Sequence, residues 1–321
     1  MQVVELRAPN PEDPAAAVVV GERPEPEPAD GWSVVEVEAA ALNMHDVWLL
    51  RGAGVRPERL PLVLGSDVAG RVGDREVIVH AVLSGGEGDD RLGPDFALLC
   101  DGGHGTFAER VLVPTANLID KPGSLSWTEA AALPTSWLTA YRMLFTRGGL
   151  RPGATVLVQG AGGGVATAAI ALASAAGATV MATSRSEEKR RRALELGADV
   201  ALEPGERVPE PANIVIETVG AATWEHSQRS VARGGTIVVA GGTTGMSAPT
   251  DLARLFAREA RIVGSTMGTL AEMKALVRFV ERADIRPPVD SVLPFSRAAN
   301  QVRRMLSGEA FGKLCLRPDG A

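Results

Sequence analysis

The sequence predicts an α/β protein in which a small antiparallel, barrel-like domain precedes a doubly wound parallel sheet. From Thr155 onward, apolar strands alternate with helical segments, as in a parallel sheet covered by helices on both faces. The residues 61–82 instead form short apolar runs interrupted by glycines, a pattern typical of a small barrel. The polar, glycine-rich residues 84–93 predict a loop. A chain of 321 residues is long enough for both domains.

The first strand of the predicted parallel sheet, residues 155–159, runs directly into a glycine-rich turn. An Ala-rich helix (165–176) and a second strand (178–183) complete a βαβ unit. Glycines permit positive φ angles and close approach of a pyrophosphate, and the N-terminus of the helix attracts phosphate. The unit therefore predicts a dinucleotide site, although a loop that only turns the chain is the alternative. The predicted phosphate-binding residues are Gly160, Ala161, Gly162, Gly163, Gly164 and Val165.

The end of the second strand indicates which dinucleotide binds. An NAD site usually has a carboxylate about 20 residues past the glycines, where it accepts a hydrogen bond from the ribose 2′-hydroxyl. This chain has Ser184 and Arg185 there, followed by Lys189. Hydroxyl and cationic groups suit a 2′-phosphate, so the sequence predicts NADP(H). In the alternative, Ser184 and Glu187 form a capping box and Arg185 is only solvated.

Small residues also follow the later strands of the predicted sheet. Ligands of open α/β sheets bind at the carboxyl ends of the strands, so these positions predict contacts with the nicotinamide half of the cofactor. Plain loop glycines are the alternative at each of them. The predicted residues are Val219, Gly241, Met267 and Gly268.

Composition and charge exclude several classes of protein. The formal net charge of −6 does not indicate a protein that binds nucleic acid or an anionic membrane surface. The first residues lack a basic region followed by an apolar core, and the longest apolar stretch is too short to span a bilayer. Two cysteines are too few for a disulfide framework or a four-cysteine zinc site. We expect a cytoplasmic enzyme that acts on a small molecule.

Several motifs together resemble the medium-chain dehydrogenase/reductase superfamily, in particular its zinc-independent quinone oxidoreductase-like branch. They cover nearly the whole chain in the order that the family has. They are ALNMHDVWLLRG (41–52), LGSDVAGRV (64–72), GTFAERVLVP (105–114), AAALPTSWLTAY (130–141), the glycine-rich βαβ unit, ELGAD (195–199), GSTMG (264–268) and FGKLCL (311–316).

This resemblance implies a fold, a reaction and further contacts. A GroES-like catalytic domain would comprise residues 1–120 and be completed by residues 269–321, with a Rossmann NADP-binding domain at 121–268. The implied reaction is hydride transfer involving a nicotinamide, with Thr139 touching that ring. The resemblance also implies a homodimer formed through the later edge of the parallel sheet.

Two departures from the family pattern concern zinc. The zinc-dependent members have cysteine in the motif position of Asn43 and histidine in that of Ser66, and asparagine and serine are poor zinc ligands. The residues 80–104 correspond to a lobe that holds four cysteines in those members but contain only Cys100. His80, Cys100 and His104 form a conceivable metal trio, but their spacing favours packing roles. We therefore expect no zinc.

A metal-free site favours reduction of a quinone or an α,β-unsaturated carbonyl, because hydrogen-bond donors can stabilise the oxygen on which charge develops. Asn43 and Arg51 are candidate donors. Asp46 is expected to orient Arg51 or a backbone group. Tyr141 is either a proton donor or a hydrogen-bonded residue of a helix core. His45, water and a ribose hydroxyl are other possible proton sources.

Two alternatives to this reductase stay open at the level of sequence. One is a metal-free alcohol or aldehyde dehydrogenase. The other is a protein that binds NADPH without turnover and acts as a structural or regulatory partner.

Overall fold

The computed structural model describes residues 1–83 and 96–320, so the loop predicted at 84–93 lies outside the described residues. The described strands are β1 Gln2–Leu6, β2 Val18–Glu22, β3 Trp32–Ala41, β4 Leu62–Val63, β5 Asp67–Val72, β6 Arg75–Val79, β7 Val82–Leu83, β8 Ala97–Leu98, β9 Arg110–Pro114, β10 Leu118–Asp120, β11 Thr155–Val158, β12 Thr179–Thr183, β13 Val200–Leu202, β14 Ala212–Glu217, β15 Val231–Val239, β16 Arg261–Gly264, β17 Val289–Pro294 and β18 Lys313–Arg317.

The described helices alternate with these strands mainly in the second half of the chain. They are α1 Met44–Leu50, α2 Trp127–Ala131, α3 Leu138–Tyr141, α4 Gly164–Ala175, α5 Glu187–Glu195, α6 Ala221–Ser230, α7 Leu252–Ala257, α8 Leu270–Arg282 and α9 Ala298–Ser307. The chain divides into two compact units, one formed by Met1–Thr135 with Thr269–Ala321 and the other by Ser136–Gly268.

The first unit is built around strand β3. Among the described residues, β3 pairs with β9 along its first half and with β5 and β18 along its second half. Gly70 on β5 makes this close pairing possible, because a Cβ atom there would lie 2.0 Å from the Glu36 carbonyl oxygen. The pairings are antiparallel, as predicted, except that β17 and β18 run parallel. The predicted barrel-like antiparallel domain is therefore confirmed, with a parallel pair at the C-terminus.

The second unit is a six-stranded parallel sheet in the order β13-β12-β11-β14-β15-β16. Helix α4 packs on this sheet with an unbroken buried run from Ala166 to Ala173, rich in alanine. Small side chains let a helix approach a sheet closely, which explains the composition of this segment. The predicted doubly wound sheet is confirmed.

The first unit extends past residue 120, where the sequence predicted the boundary between the domains. Helix α2 packs against β3 and β5, and the Cys315 thiol donates to the Thr128 carbonyl oxygen. These contacts tie α2 to the first unit. A π-helical turn at Leu133–Trp137 then separates α2 from α3 around Pro134.

Two surface properties bear on partners. Met246, Leu252 and Phe256 are exposed by 70% or more and Ile262 by 38%, and Ile262 lies on β16 at the edge of the parallel sheet. In the part of the chain that the structure describes, no helix combines the length and apolar character needed to cross a bilayer.

Candidate functional site

The glycine-rich turn after β11 has the geometry of a phosphate-binding loop. Gly160 and Gly162 have φ angles of 76° and 142°, which side chains rarely adopt. The Gly160 amide donates to Thr183 Oγ1 at 3.1 Å and the Ala161 amide to the Thr183 carbonyl oxygen at 2.7 Å. Gly163 is the N-cap of α4, so the unpaired amides of the helix begin directly after the turn.

This loop lies where the strand order of the sheet reverses. β11 and β14 are neighbours, and the chain leaves them towards opposite sides of the sheet. A Cβ atom on Gly160 would lie 2.6 Å from Val219 Cγ2, which places the turn after β11 against the loop after β14. Such a switch point is the usual ligand site of open α/β sheets.

The loop after β14 is held by Glu217, whose side chain is fully buried. Its Oε1 accepts from the amides of Val219 at 2.8 Å and Gly220 at 3.0 Å, and its carboxylate also accepts from the hydroxyls of Thr223 and Ser227. A buried carboxylate needs such donors. The sequence analysis missed this residue, although an acid that ends an apolar strand is a usable signal.

Lys189 extends from α5 back to the glycine-rich turn. A Cβ atom on Gly162 would lie 2.9 Å from Lys189 Nζ, so the ammonium group lies over the loop. Ser184 is buried and its hydroxyl accepts from the Ser186 amide at 3.2 Å, whereas Arg185 is exposed. These positions place two cationic side chains and a hydroxyl at the end of β12.

The alternative that paired Ser184 with Glu187 in a capping box is wrong. The N-cap of α5 is Ser186, and its hydroxyl accepts from the Lys189 amide at 3.3 Å. The Ser184 hydroxyl accepts from an amide before the helix starts, and its carbonyl oxygen accepts from Arg190. Helix capping therefore does not explain why a serine stands at this position.

The other residues predicted near the nicotinamide lie in the same unit. The Thr139 hydroxyl donates to Met267 Sδ at 3.9 Å, and Met267 has a φ angle of 45°. A Cβ atom on Gly241 would lie 3.3 Å from the Thr218 carbonyl oxygen, next to Val219. Gly268 follows Met267 after β16. Their contact with a cofactor stays a prediction.

A buried polar cluster lies in the first unit, at the start of α1. Lys313 Nζ donates to Asn43 Oδ1 at 2.7 Å, to Asp67 Oδ2 at 3.0 Å and to the Leu42 carbonyl oxygen at 2.9 Å. Asn43 Nδ2 donates to Asp67 Oδ2 at 2.9 Å and to the Ala41 carbonyl oxygen at 3.4 Å. Asn43, predicted as a donor to substrate, thus directs its amide hydrogens to protein acceptors.

This cluster does not fit the zinc ligands of the family. The Lys313 ammonium, 2.7 Å from the Asn43 amide oxygen, opposes a second cation at that oxygen. Ser66, at the other ligand position, shares a hydrogen bond with Cys100 Sγ at 3.1 Å. In addition, the neutral oxygens of the Asn43 amide and the Ser66 hydroxyl are poor zinc ligands.

Asp46 was predicted to orient either Arg51 or a backbone group, and in the structure it binds backbone amides. Its carboxylate accepts from the amides of Asn43 at 2.8 Å and Gly65 at 2.9 Å. Burial raises the pKa of Asp46 to about 6, against the opposing effect of these hydrogen bonds. Arg51 ends α1 with its guanidinium 5.3 Å from the centre of the Trp48 ring. In the second unit, Tyr141 packs on Phe145 with ring centres 4.6 Å apart.

His45, in the first turn of α1, pairs with Asp101, with His45 Nε2 3.0 Å from Asp101 Oδ1. Burial lowers the pKa of His45, but the hydrogen bond and charge of Asp101 outweigh burial and leave the pKa raised. Burial and neighbouring carboxylates raise the pKa of the Cys100 thiol beside them.

The conceivable trio of His80, Cys100 and His104 has a different arrangement in the structure. His104 stacks on Trp32 with ring centres 4.6 Å apart, and His80 is completely buried. Within residues 1–83 and 96–320, the ligand-type atoms that converge with Cys100 belong to His45 and Asp101. The sequence missed Asp101, Asp67 and Lys313, although a lysine inside the apolar strand β18 already indicated a buried partner.

Comparisons with known proteins agree with both units. Residues 29–123 match the model of the alcohol dehydrogenase GroES-like domain, and residues 164–282 match that of a zinc-binding dehydrogenase. The chain is 31% identical to a zinc-type alcohol dehydrogenase-like protein of Schizosaccharomyces pombe, over 90% of this chain and 91% of that protein. It is 32% identical to 2-methylene-furan-3-one reductase of Solanum lycopersicum, over 89% and 71% of the two chains.

Solved structures are similar along nearly the whole chain. The crystal structure of an NAD-dependent alcohol dehydrogenase is 37% identical, with a TM-score of 0.92 and 99% of each chain covered. The structure of a 2-octenoyl-CoA carboxylase reductase in complex with NADP and 2-octenoyl-CoA is 26% identical, with a TM-score of 0.89 and 99% and 87% covered.

Proposed function

Because the chain belongs to the medium-chain dehydrogenase/reductase superfamily, we propose that it is a zinc-independent oxidoreductase that uses NADPH to reduce an α,β-unsaturated carbonyl or a quinone. The observation that carries the proposal is the Lys189 ammonium over the Gly162 turn, because it places a positive charge beside a phosphate-binding loop. The similarity to a furanone reductase and to an NADP-bound enoyl-CoA reductase supports this choice of substrate class and cofactor.

The chain supplies cofactor binding through its backbone and three side chains. The free amides at the start of α4 donate to the pyrophosphate, and the positive φ angles of Gly160 and Gly162 let the backbone approach it. Ser184, Arg185 and Lys189 bind the 2′-phosphate that distinguishes NADPH from NADH. The bound nicotinamide supplies the hydride for conjugate reduction.

The first unit supplies a rigid polar region at the start of α1. Lys313 and Asp67 fix the Asn43 side chain, and Asp46 fixes the Asn43 backbone and Gly65. Held in this way, the segment does not have to be reorganised when substrate binds. Arg51 of the first unit is a proposed donor to the substrate oxygen, and Tyr141 of the second unit is an alternative proton donor; neither side chain is fully buried.

The test is turnover of EDTA-treated protein with a panel of enones, quinones and simple alcohols. We expect NADPH consumption with enones or quinones and a clear preference for NADPH over NADH. Binding of NADPH without consumption with any acceptor would instead indicate a protein without turnover. Loss of activity on metal removal, restored by zinc, would contradict zinc independence.

A metal-free alcohol or aldehyde dehydrogenase is the second candidate. The 37% identity to an NAD-dependent alcohol dehydrogenase favours it. The same panel separates the two functions, because this candidate predicts NADP⁺-dependent oxidation of simple alcohols that exceeds enone reduction.

A further inference from the structure

Three side chains of different chemistry converge beside the buried Lys313 cluster. His45 lies on α1, and Cys100 and Asp101 follow β8, so two segments of the chain meet here. His45 Nε2 is 3.0 Å and Cys100 Sγ is 3.7 Å from Asp101 Oδ1. The three ligand atoms all lie within 4.8 Å of one another. Nothing in the cofactor site proposed above uses these groups.

Against the expectation of no zinc, which was drawn from the family's ligand positions, we propose that His45, Cys100 and Asp101 form a binding site for a divalent transition metal of the zinc class. This site is displaced from the positions that the family uses, and the reductase chemistry proposed above does not use it. Imidazole, thiolate and carboxylate are the ligands that zinc prefers. Three protein ligands leave a fourth tetrahedral position for water. The family positions are unsuitable because Lys313 brings a positive charge to Asn43.

The environment of each group suits an ion that enters from solvent. The side chains of His45 and Asp101 are exposed by 34% and 33%, whereas Cys100 is completely buried. The metal therefore enters on the histidine and carboxylate side and reaches the sulfur on the inner side. The other carboxylate oxygen, Asp101 Oδ2, accepts from the Leu98 amide at 3.4 Å, while Oδ1 faces the other two ligands.

Ser66 supports the sulfur. Its hydroxyl lies 3.1 Å from Cys100 Sγ, and it donates to the sulfur once the thiol has lost its proton. Binding therefore replaces the thiol proton by the metal and releases that proton to solvent, with no change of oxidation state. Without a metal, the thiol shares a hydrogen bond with Ser66 and donates to Asp101 Oδ1, so the same contacts keep its sulfur next to the other two groups.

The experiment is a titration of EDTA-treated, reduced protein with Co²⁺, followed by absorption spectroscopy. A thiolate ligand to cobalt gives a sulfur-to-metal charge-transfer band, and a four-coordinate site gives visible ligand-field bands. We expect both to saturate at one equivalent. Cys100→Ser should abolish the charge-transfer band, whereas Cys315→Ser should retain it. Cys315 is the matched control because its buried thiol donates to the Thr128 carbonyl oxygen.

Further variants test the other groups. His45→Gln and Asp101→Asn should each weaken cobalt affinity by more than tenfold, and Ser66→Ala by about 10- to 100-fold. Circular dichroism and thermal unfolding of the variants without metal check that each one folds. No binding near one equivalent, or a charge-transfer band that persists in Cys100→Ser, would overturn the proposal. The absorbance does not depend on turnover, so the site and the proposed reductase activity succeed or fail separately.

Discussion

The Lys313 ammonium lies 3.0 Å from the Asp67 carboxylate, and the two side chains are exposed by only 2% and 0%. A buried ion pair of this kind contributes little relative to apolar residues, but removal of one partner leaves a charge without compensation. Asn43 adds a hydrogen bond to each partner, so the pair fixes the segment that begins α1. Its importance is therefore structural as well as electrostatic.

Replacement of one member of this pair should strongly destabilise the protein. Lys313→Met leaves the Asp67 carboxylate buried without its cation, and we expect a loss of about 3–5 kcal/mol in the free energy of unfolding. The double variant Lys313→Met/Asp67→Asn removes both charges and should recover a large part of that loss. Urea unfolding monitored by circular dichroism measures both. Arg191→Met, which breaks only exposed ion pairs, should leave stability nearly unchanged.

Gly163→Ala should separate cofactor binding from folding. Gly163 has a φ angle of −73°, and a Cβ atom there meets no atom within 4 Å, so alanine fits the protein without strain. Gly163 is the N-cap of α4 at the end of the glycine-rich turn, where the backbone must approach the pyrophosphate. We expect an unchanged unfolding temperature, because the alanine fits. We expect the NADPH dissociation constant to rise at least about tenfold, because the added methyl group should cost about as much as the loss of one charge-assisted hydrogen bond to the pyrophosphate.

Calorimetry with NADPH measures this effect. Gly123→Ala is the matched control, because its Cβ atom also has open space and it lies outside the turn. Equal NADPH affinity in the two variants would show that the turn does not bind the pyrophosphate.

Lys189→Glu should alter the preference between cofactors. The Lys189 ammonium lies over Gly162, and its reversal should repel a 2′-phosphate. We expect kcat/KM for NADPH to fall about tenfold or more and kcat/KM for NADH to fall less, because NADH has the pyrophosphate but not the 2′-phosphate. Arg191→Glu makes the same charge change on α5, but Arg191 pairs with Glu188 and Glu195. This variant should therefore not change the preference between NADPH and NADH. Equal losses with both cofactors would argue against a 2′-phosphate site.

His80 should make the protein sensitive to mild acid. Within the described residues, both ring nitrogens lack a hydrogen-bond partner, and burial lowers the pKa of His80 from 6.5 to about 4. As the pH falls from 6.5 towards 4, the unfolded chain therefore binds a proton at His80 that the folded chain does not bind. Neutral His80 therefore makes its full contribution to the free energy of unfolding above pH 6.5. That contribution, about 3 kcal/mol, is lost as the pH falls towards 4.

The comparison of His80→Leu with the parent protein isolates this effect. Urea unfolding at pH 7 and pH 4.5 should show a smaller loss in the variant than in the parent. His104→Gln serves as control, since that ring is only half buried and stacks on Trp32. If the free energy of unfolding depends on pH in the same way in the parent and in His80→Leu, then His80 is not the cause of the acid sensitivity.

A second copy of the chain is the expected cover for the exposed apolar side chains between Met246 and Ile262. Met246, Leu252, Phe256 and Ile262 are exposed, and edge strands with apolar surface favour association. We expect a homodimer by light scattering and a monomer for Phe256→Glu. Leu194→Glu, at an exposed leucine on α5, should leave the dimer intact. A monomeric parent protein would disprove this expectation.

The sequence predicted those features that local patterns encode. The βαβ unit from Thr155 to Thr183 follows from apolar runs, five small residues and an Ala-rich helix, and all of these are contiguous. Strand order and the parallel pairing of β17 with β18 depend on tertiary contacts. The Ser184–Glu187 capping box failed because Ser186 offers the same hydroxyl nearer to the helix.

The contacts that shape the polar sites join distant parts of the chain. Lys313 and Asp67 are 246 positions apart, and His45 and Asp101 are 56 apart. No periodicity or spacing connects such residues. The sequence contains each of these residues, but only the fold shows that Cys100 lies beside His45 and that, within the described part of the chain, the His80 ring nitrogens have no hydrogen-bond partner.

Glu217 has a consequence for the rate and cost of ligand association. Its carboxylate already binds the Val219 and Gly220 amides, so the loop opposite Gly160 is held by hydrogen bonds before any ligand arrives. A preorganised loop loses little conformational entropy on association, and more of the contact energy remains as affinity. Association of a ligand at this edge of the sheet then needs no rearrangement of this loop.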